Sequence, residues 1–354
     1  RVGTAHQHGF AGCPTVGGAH PTNLISSHES LRSLRLCGEI SFYILAIAPP
    51  TTLQKAKRIL FVPGKNPKPP VEEHRQQLRR CLRRGVERAD PAVAQEIEAD
   101  SQAFRLIAWN PLYYRSYKPL DEDLPWIDAL LKQDGPTRAD VKEALSFRRR
   151  TAWLLYTLAD VFNFLIPLLP DPVVKNTIQE TARYFSHEDN IGQQVRELLK
   201  APLREMFARG ERVLMIGHSM GSVIAYESLW ELTHIEKNPG RVDLFLTIGS
   251  PLGMRFTQQR LLGVHEKGAR RYPHNIRHWI NMASQGDLTA LDPTLRDDFK
   301  AMLELGVVEF ITDRNGGIFN YFRDDQGLNV HRSYGYLVNP RVGEVIAKWW
   351  KEKA

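Results

Sequence analysis

The second half of the chain carries a serine, an aspartate and a histidine spaced as a nucleophile, its orienting acid and its base would be. Gly217-His218-Ser219-Met220-Gly221 sets one serine between two glycines, with the apolar run RVLMIG (212–217) leading in and the helix-like SVIAYESL leading out. A serine at a sharp strand-to-helix corner projects its hydroxyl above the sheet edge, and glycines two residues before and after it leave room where side chains would clash. The hydroxyl is a weak nucleophile at neutral pH, so the chemistry also needs a general base and a carboxylate that orients that base. On such a turn the acid and then the histidine follow in chain order. Asp287 follows the strand-like IRHWINMA (276–283), and His331 follows VVEFITD (307–313) and a loop. The spacing therefore assigns Ser219 as nucleophile, Asp287 as acid and His331 as base. Asp313 is the main rival acid and Asp292 a weaker one. His218 adjoins the serine but points elsewhere on such a turn, which suits packing or pocket lining. His265 and His274 precede the acid, the wrong order, and His278 lies within a strand.

Attack at a carbonyl also needs N–H donors for the developing oxyanion. One is the amide of Met220, the residue after the nucleophile; the other is expected from the loop Pro63-Gly64-Lys65-Asn66-Pro67, where Gly64 lets the backbone approach and Lys65 supplies the N–H. Lys65 as a plain surface lysine is the other reading. Trp109, Tyr113, Tyr114 and Tyr117 offer an apolar acyl pocket, to which Gly64 and His218 would also contribute. Ser250, in Gly-Ser-Pro, lacks a second glycine and a following helix, so it reads as a strand-end turn.

These side chains need a scaffold that brings strand ends to one edge. Six short apolar runs are present: RILFVPG (58–64), FRLIAW (104–109), RVLMIG (212–217), DLFLTIG (243–249), IRHWINMA (276–283) and VVEFITD (307–313). Helix-spaced segments separate them, among them VEEHRQQLRRCLRRGVERA, and GEVIAKWWKE (343–352) closes the chain as an amphipathic helix. This alternation predicts a mostly parallel sheet with helices on both faces. An insertion at 118–185 carries TAWLLYTLADVFNFLIPLLP (151–170), long enough to invite a membrane span. Asp160 at a bilayer centre would cost about 2.5–3.5 kcal/mol, and Asn163 and Pro167 argue further against spanning. Tyr156, Asp160, Asn163 and Pro167 share one edge at helical spacing and leave a wide apolar face. That pattern predicts a helical cap: one buried on the core, or a lid facing a lipid-like substrate with Phe147-Arg148-Arg149-Arg150 against an anionic surface. Residues 1–52 read as an arm or leader; SFYILAIAPP (41–50) is as long as a signal-peptide core but lies too deep and lacks a cleavage signature. The expected division is 1–52 as arm, 53–117 with 186–354 as core, and 118–185 as cap or lid.

Of 354 residues, 42% are hydrophobic and 25% charged, an ordinary globular balance. The net charge of +7 is concentrated in RQQLRRCLRR (75–84) and Arg148–Arg150, which read as solvated helix faces or as attraction to anionic lipid or an acidic substrate. No zinc-finger or RNP pattern accompanies the charge, so nucleic acid is not an expected partner. Cys13, Cys37 and Cys81 are too scattered for a disulfide framework or zinc site, which fits a reduced, cytoplasmic setting. His187-Glu188 lacks the second histidine of a metal motif. No metal or cofactor is expected.

FVPG (61–64), GHSMG (217–221), TIGSPLG (247–253), WINMASQGD (279–287) and NVHRSYGYL (329–337) together resemble the α/β-hydrolase superfamily, lipase/esterase branch, over residues 57–349. GHSMG with TIGSPLG is similar to the lipid-deacylase side of it. Many members carry His-Gly where this chain has Pro63-Gly64. The resemblance implies an eight-stranded, mostly parallel sheet, no metal, and a serine hydrolase working through an acyl-enzyme. The expected function is carboxylic ester hydrolysis with medium or long apolar acyl chains. The alternatives are acyl transfer or thioester cleavage with the same three residues, and a non-catalytic lipid-binding or membrane-docking protein on this fold.

Overall fold

The computed structural model describes residues 55–161, 181–186 and 188–352. β1 (Lys57–Val62) leads through α1 (Val71–Ala89) and α2 (Pro91–Ala99) to β2 (Phe104–Leu106). Next come α3 (Asn110–Tyr114), α4 (Leu124–Lys132), α5 (Arg138–Ala144) and α6 (Phe147–Val161). α7 (Ile191–Ala208), β3 (Arg212–His218), α8 (Met220–His234), β4 (Val242–Ile248), α9 (Arg255–Gln258) and β5 (Ile276–Met282) follow. The chain continues through α10 (Leu295–Asp298), α11 (Lys300–Glu304) and β6 (Phe310–Asp313). It closes with β7 (Arg323–Asp324), β8 (Gly327–Leu328), α12 (Ser333–Leu337) and α13 (Pro340–Lys351). The main sheet has the order β2-β1-β3-β4-β5-β6, every neighbouring pair parallel. The chain winds outward from β1 to β2, then resumes on the other side of β1 with β3. Where strand order reverses, connections leave in opposite directions and open a crevice beyond the carboxyl ends of β1 and β3.

Alternate strand residues feed two cores. Ile59, Phe61, Leu214, Ile216, Leu244 and Leu246 face Leu78, Leu82 and Val86 of α1 and Val342, Val345 and Ile346 of α13. Leu60, Val62, Val213, Met215, Phe245 and Trp279 face α7 and α8 on the other side. Near-continuous apolar runs are what a sheet covered on both faces requires. α1 meets α12 and α13 backbone to backbone: a Cβ on Gly85 would lie 2.0 Å from the carbonyl oxygen of Leu337 in α12, and one on Gly343 of α13 would lie 2.0 Å from that of Gly85. The basic stretch 75–84 is absorbed by this packing and its acidic neighbours. Arg75 pairs with Glu72, Arg80 with Asp128, Arg83 with Glu87, and Arg84 with Glu87 and Asp134.

The sheet has six strands among the described residues, not the eight implied by the resemblance. Each of the six apolar runs became one strand, and no other described segment supplies a run able to face two helical layers. Two strands, β2 and β6, are three residues shorter than their runs. Trp109 leaves the second run to cap α3, and Val307 and Val308 of the sixth are buried among helix side chains before β6 begins. The described part of 118–185 belongs with the rest of Leu53–Ala354 in one compact unit. It shows helices but no lid. α6 starts at Phe147; residues 162–170 of the expected helix, the arm 1–52 and His187 lie outside the described residues. Asp160 of the expected polar edge faces the protein, accepting hydrogen bonds from the amides of Arg255 and Phe256 at 2.8 and 3.0 Å. Leu154, Leu155 and Leu158 are exposed, so the helix is not simply buried. Among the described residues no helix is long and apolar enough to cross a membrane.

Candidate active site

β3 is buried throughout, and Ser219 sits immediately beyond it with φ 53° and ψ −129°, a conformation rare for any residue with a Cβ. The surroundings hold it there. The Ser219 amide donates to the Ile248 carbonyl at 3.1 Å, and its own carbonyl accepts from the Ser222 amide and hydroxyl at 2.9 and 2.6 Å. Both flanking glycines are required by close approach. A Cβ on Gly217 would fall 2.6 Å from Ser222 Cα, and one on Gly221 would fall 2.1 Å from the carbonyl oxygen of Val62.

The strained turn presents Ser219 Oγ 2.9 Å from His331 Nε2, and His331 Nδ1 lies 2.9 Å from Asp287 Oδ2. Asp287 and His331 come from the loops after β5 and β8, so three chain segments converge on the crevice. Asp287 is buried, and burial pushes its pKa up. The charge of His331 and hydrogen bonds from His331, Tyr336 and the Thr289 amide outweigh that effect and hold the carboxyl below its usual value. An ionised acid therefore faces the imidazole and fixes a proton on Nδ1, leaving Nε2 to accept from the serine hydroxyl.

The rival residues have other partners. Asp313 accepts from Asn281 Nδ2 and from the amides of Leu295 and Arg296, which occupies it at the start of α10. Asp292 caps the turn at Thr294. His278 meets Glu309 at 2.9 Å on the sheet's outer strands, and His274 bonds the Ala269 carbonyl. Ser250 is a brace, its hydroxyl 2.7 Å from that of Ser222.

His218 is buried and braces the base: its Nε2 donates to the main-chain carbonyl of His331 at 2.7 Å, and the two rings lie 4.8 Å apart. Burial first, then the charges of His331 and Lys68, hold its pKa well below the usual histidine value, so the ring stays neutral. Gly64 presses on the nucleophile, since a Cβ there would come within 2.9 Å of both His218 Nδ1 and Ser219 Cβ. Its loop is pinned from α3, where Trp109 Nε1 donates to the Pro63 carbonyl at 2.8 Å and Asn110 Nδ2 to those of Gly64 and Asn66 at 2.8 and 3.0 Å. Lys65 and Met220 line one narrow cavity with Trp109, Tyr113, Tyr114, Thr181 and Tyr184, about 10 Å³ in volume, room for roughly one water. As the first residue of α8, Met220 has no intrahelical acceptor for its amide. Gly64 and His218 do not line this cavity, and Tyr117 is 55% exposed. A wider cleft of about 270 Å³ opens beside His331 and Asp287, walled by Arg149, Asp324 and Leu328 among others. A third cavity, about 590 Å³, lies around Trp230 and the loop at 259–266, away from Ser219.

Sequence reasoning missed Tyr336. Its hydroxyl donates to Asp287 Oδ2 at 2.7 Å and accepts from the Ser284 amide at 2.8 Å, and burial with the charge of Asp287 drives its pKa well above the usual value. It lies on α12 five residues after His331, and the only sequence signal was that short spacing. Asn110 and Gly249 were missed too; Gly249 has φ +55°, and a Cβ there would lie 2.9 Å from Asp287 Oδ2. Among the described residues no cluster of His, Cys, Asp and Glu is arranged to hold a metal ion. Comparison with family models, curated proteins and solved structures returns no match for this chain.

Proposed function

We propose that this chain is a serine hydrolase that cleaves carboxylic esters through an acyl-enzyme, with Ser219, His331 and Asp287 as its catalytic triad. The observation that carries the reading is the unbroken relay from Ser219 Oγ through both nitrogens of His331 to a buried, ionised Asp287. The α/β-hydrolase motifs support it, although the sheet has six strands.

His331 Nε2 takes the hydroxyl proton as Ser219 Oγ bonds to the ester carbonyl carbon. The carbonyl oxygen becomes an oxyanion facing the amides of Met220 and Lys65. Asp287 stabilises the imidazolium without taking its proton. Collapse breaks the bond to the alcohol oxygen, which receives the proton from His331 and leaves. Water then attacks the acyl-enzyme, giving its proton to His331, and Ser219 recovers its hydrogen as the acid departs. An alcohol acceptor or a thioester would use the same groups.

The aromatic cavity beside Met220 is offered to the acyl group and the wider cleft by His331 to the alcohol portion. α6 acts as a fixed cap rather than a moving lid. Trp153 Nε1 donates to the Leu291 carbonyl, Arg149 donates to those of Leu328 and Gly286, and Asp160 holds the start of α9. Turnover of p-nitrophenyl acetate against longer homologues tests both parts. Ser219→Ala is expected to lower kcat by about 1,000-fold or more. Activity surviving within about tenfold would rule the assignment out.

A further inference from the structure

The two basic clusters of this chain have different fates. Those of α1 are paired with carboxylates. Among the described residues, the side chains of Arg148 and Arg150 of α6 are exposed and have no hydrogen-bond or ion-pair partner. They stand beside the densest group of exposed large apolar side chains among the described residues. Phe147 is 81% exposed, Leu154 53%, Leu155 51% and Leu158 40%.

Their order around the helix is informative. At about 100° per residue, Leu154, Phe147, Leu158 and Leu155 fall within a sector of about 100°, bordered by Arg150 on one side and Arg148 on the other. Thr151 shares the sector, its hydroxyl turned back to the Arg148 carbonyl at 2.9 Å. The opposite side carries the residues that fasten the helix: Arg149, Trp153 and Asp160. The apolar sector is thus held facing outward by contacts to Gly286 and Leu328, which flank the loops of Asp287 and His331.

We propose that this outer face of α6 docks the protein onto an anionic lipid surface. The apolar sector enters the boundary between headgroups and acyl chains, and the two arginines reach lipid phosphates on either side. Two unpaired cations bracketing an apolar stripe match an anionic bilayer, which offers an apolar layer beneath a negatively charged one; a second copy of this face would set arginine against arginine. If the hydrolase reading holds, docking also places the cleft beside His331 at the membrane, and the ester is drawn from the lipid phase.

Flotation with phosphatidylcholine vesicles, with and without phosphatidylglycerol, tests the docking on full chain carrying Ser219→Ala, so that binding is read apart from turnover. The chain is expected to float with the anionic vesicles and far less with phosphatidylcholine alone. Arg148→Gln with Arg150→Gln is expected to weaken binding by about 30-fold, about a factor of five per arginine. Leu154→Ser with Leu158→Ser is expected to abolish it, with an unchanged circular dichroism spectrum. Arg80→Gln with Arg83→Gln removes the same charge from α1 and is expected to leave binding intact. No flotation, equal binding to neutral vesicles, equal loss from the α1 variant, or association into dimers that the α6 leucine changes abolish would overturn the proposal. Flotation of the Ser219→Ala chain alongside a wild-type chain that hydrolyses no ester would sink the catalytic reading and leave this one standing.

Discussion

Asp287 Oδ2 accepts from both His331 Nδ1 and Tyr336, so one oxygen couples the base to a buried phenol. Because its pKa in the fold is depressed, Asp287 contributes stability that is present above its ordinary value of 3.8 and is lost as pH falls through the lower folded value. Tyr336→Phe removes one of the donors that depress it and strands the Ser284 amide. The variant is expected to lose about 1–3 kcal/mol, and its acid unfolding limb is expected to move to higher pH in urea titrations read between neutral and strongly acid pH. An unshifted limb would mean that the phenol does not act on the carboxylate. The two acids that sequence left in competition separate cleanly in kinetics. Asp287→Asn is expected to lower kcat by about 10,000-fold, and Asp313→Asn to leave it within a few-fold while lowering the melting temperature. At this scale the relay was legible because chain order and strand ends constrain it. Tyr336 and Asn110 were not, because a hydroxyl or amide that supports another residue carries no spacing rule of its own.

The elements place these residues by close approach. Gly85 and Gly343 let α1 touch α12 and α13 backbone to backbone, which draws in Tyr336, on the helix just after His331. Gly85→Ala would force a methyl into a carbonyl, so chemical denaturation is expected to show a loss of about 1–3 kcal/mol or more; a neutral variant would mean that the helices can slide apart freely. Strand cores were legible as apolar runs, while the ends of β2 and β6 were not. Periodicity cannot tell a buried strand from a buried turn at an edge, where a strand has a ladder on one side only. α6 shows the same limit from the other direction. Of its expected polar edge, Asp160 meets the protein while Asn163 and Pro167 lie outside the described residues; which side met the protein depended on partners distant in sequence: the amides of Arg255 and Phe256 and the carbonyls of Leu291 and Leu328.

At the scale of the molecule, the six parallel strands among the described residues, with the reversal between β1 and β3, set a crevice where loops from either direction meet. The alternation of apolar runs and helices was enough to foresee that layered sheet. The number eight came from resemblance alone and did not survive. The crevice holds a strained serine on one side and the pinned Gly64 loop on the other, and the account stands or falls on the reactivity of one hydroxyl. The most direct measurement is labelling of the folded chain with a fluorophosphonate, followed by mass spectrometry of the modified peptide. The account predicts a single stoichiometric adduct on Ser219, lost in Ser219→Ala and strongly slowed in His331→Ala. A folded wild-type chain that takes no label, or takes it on another residue, would contradict it.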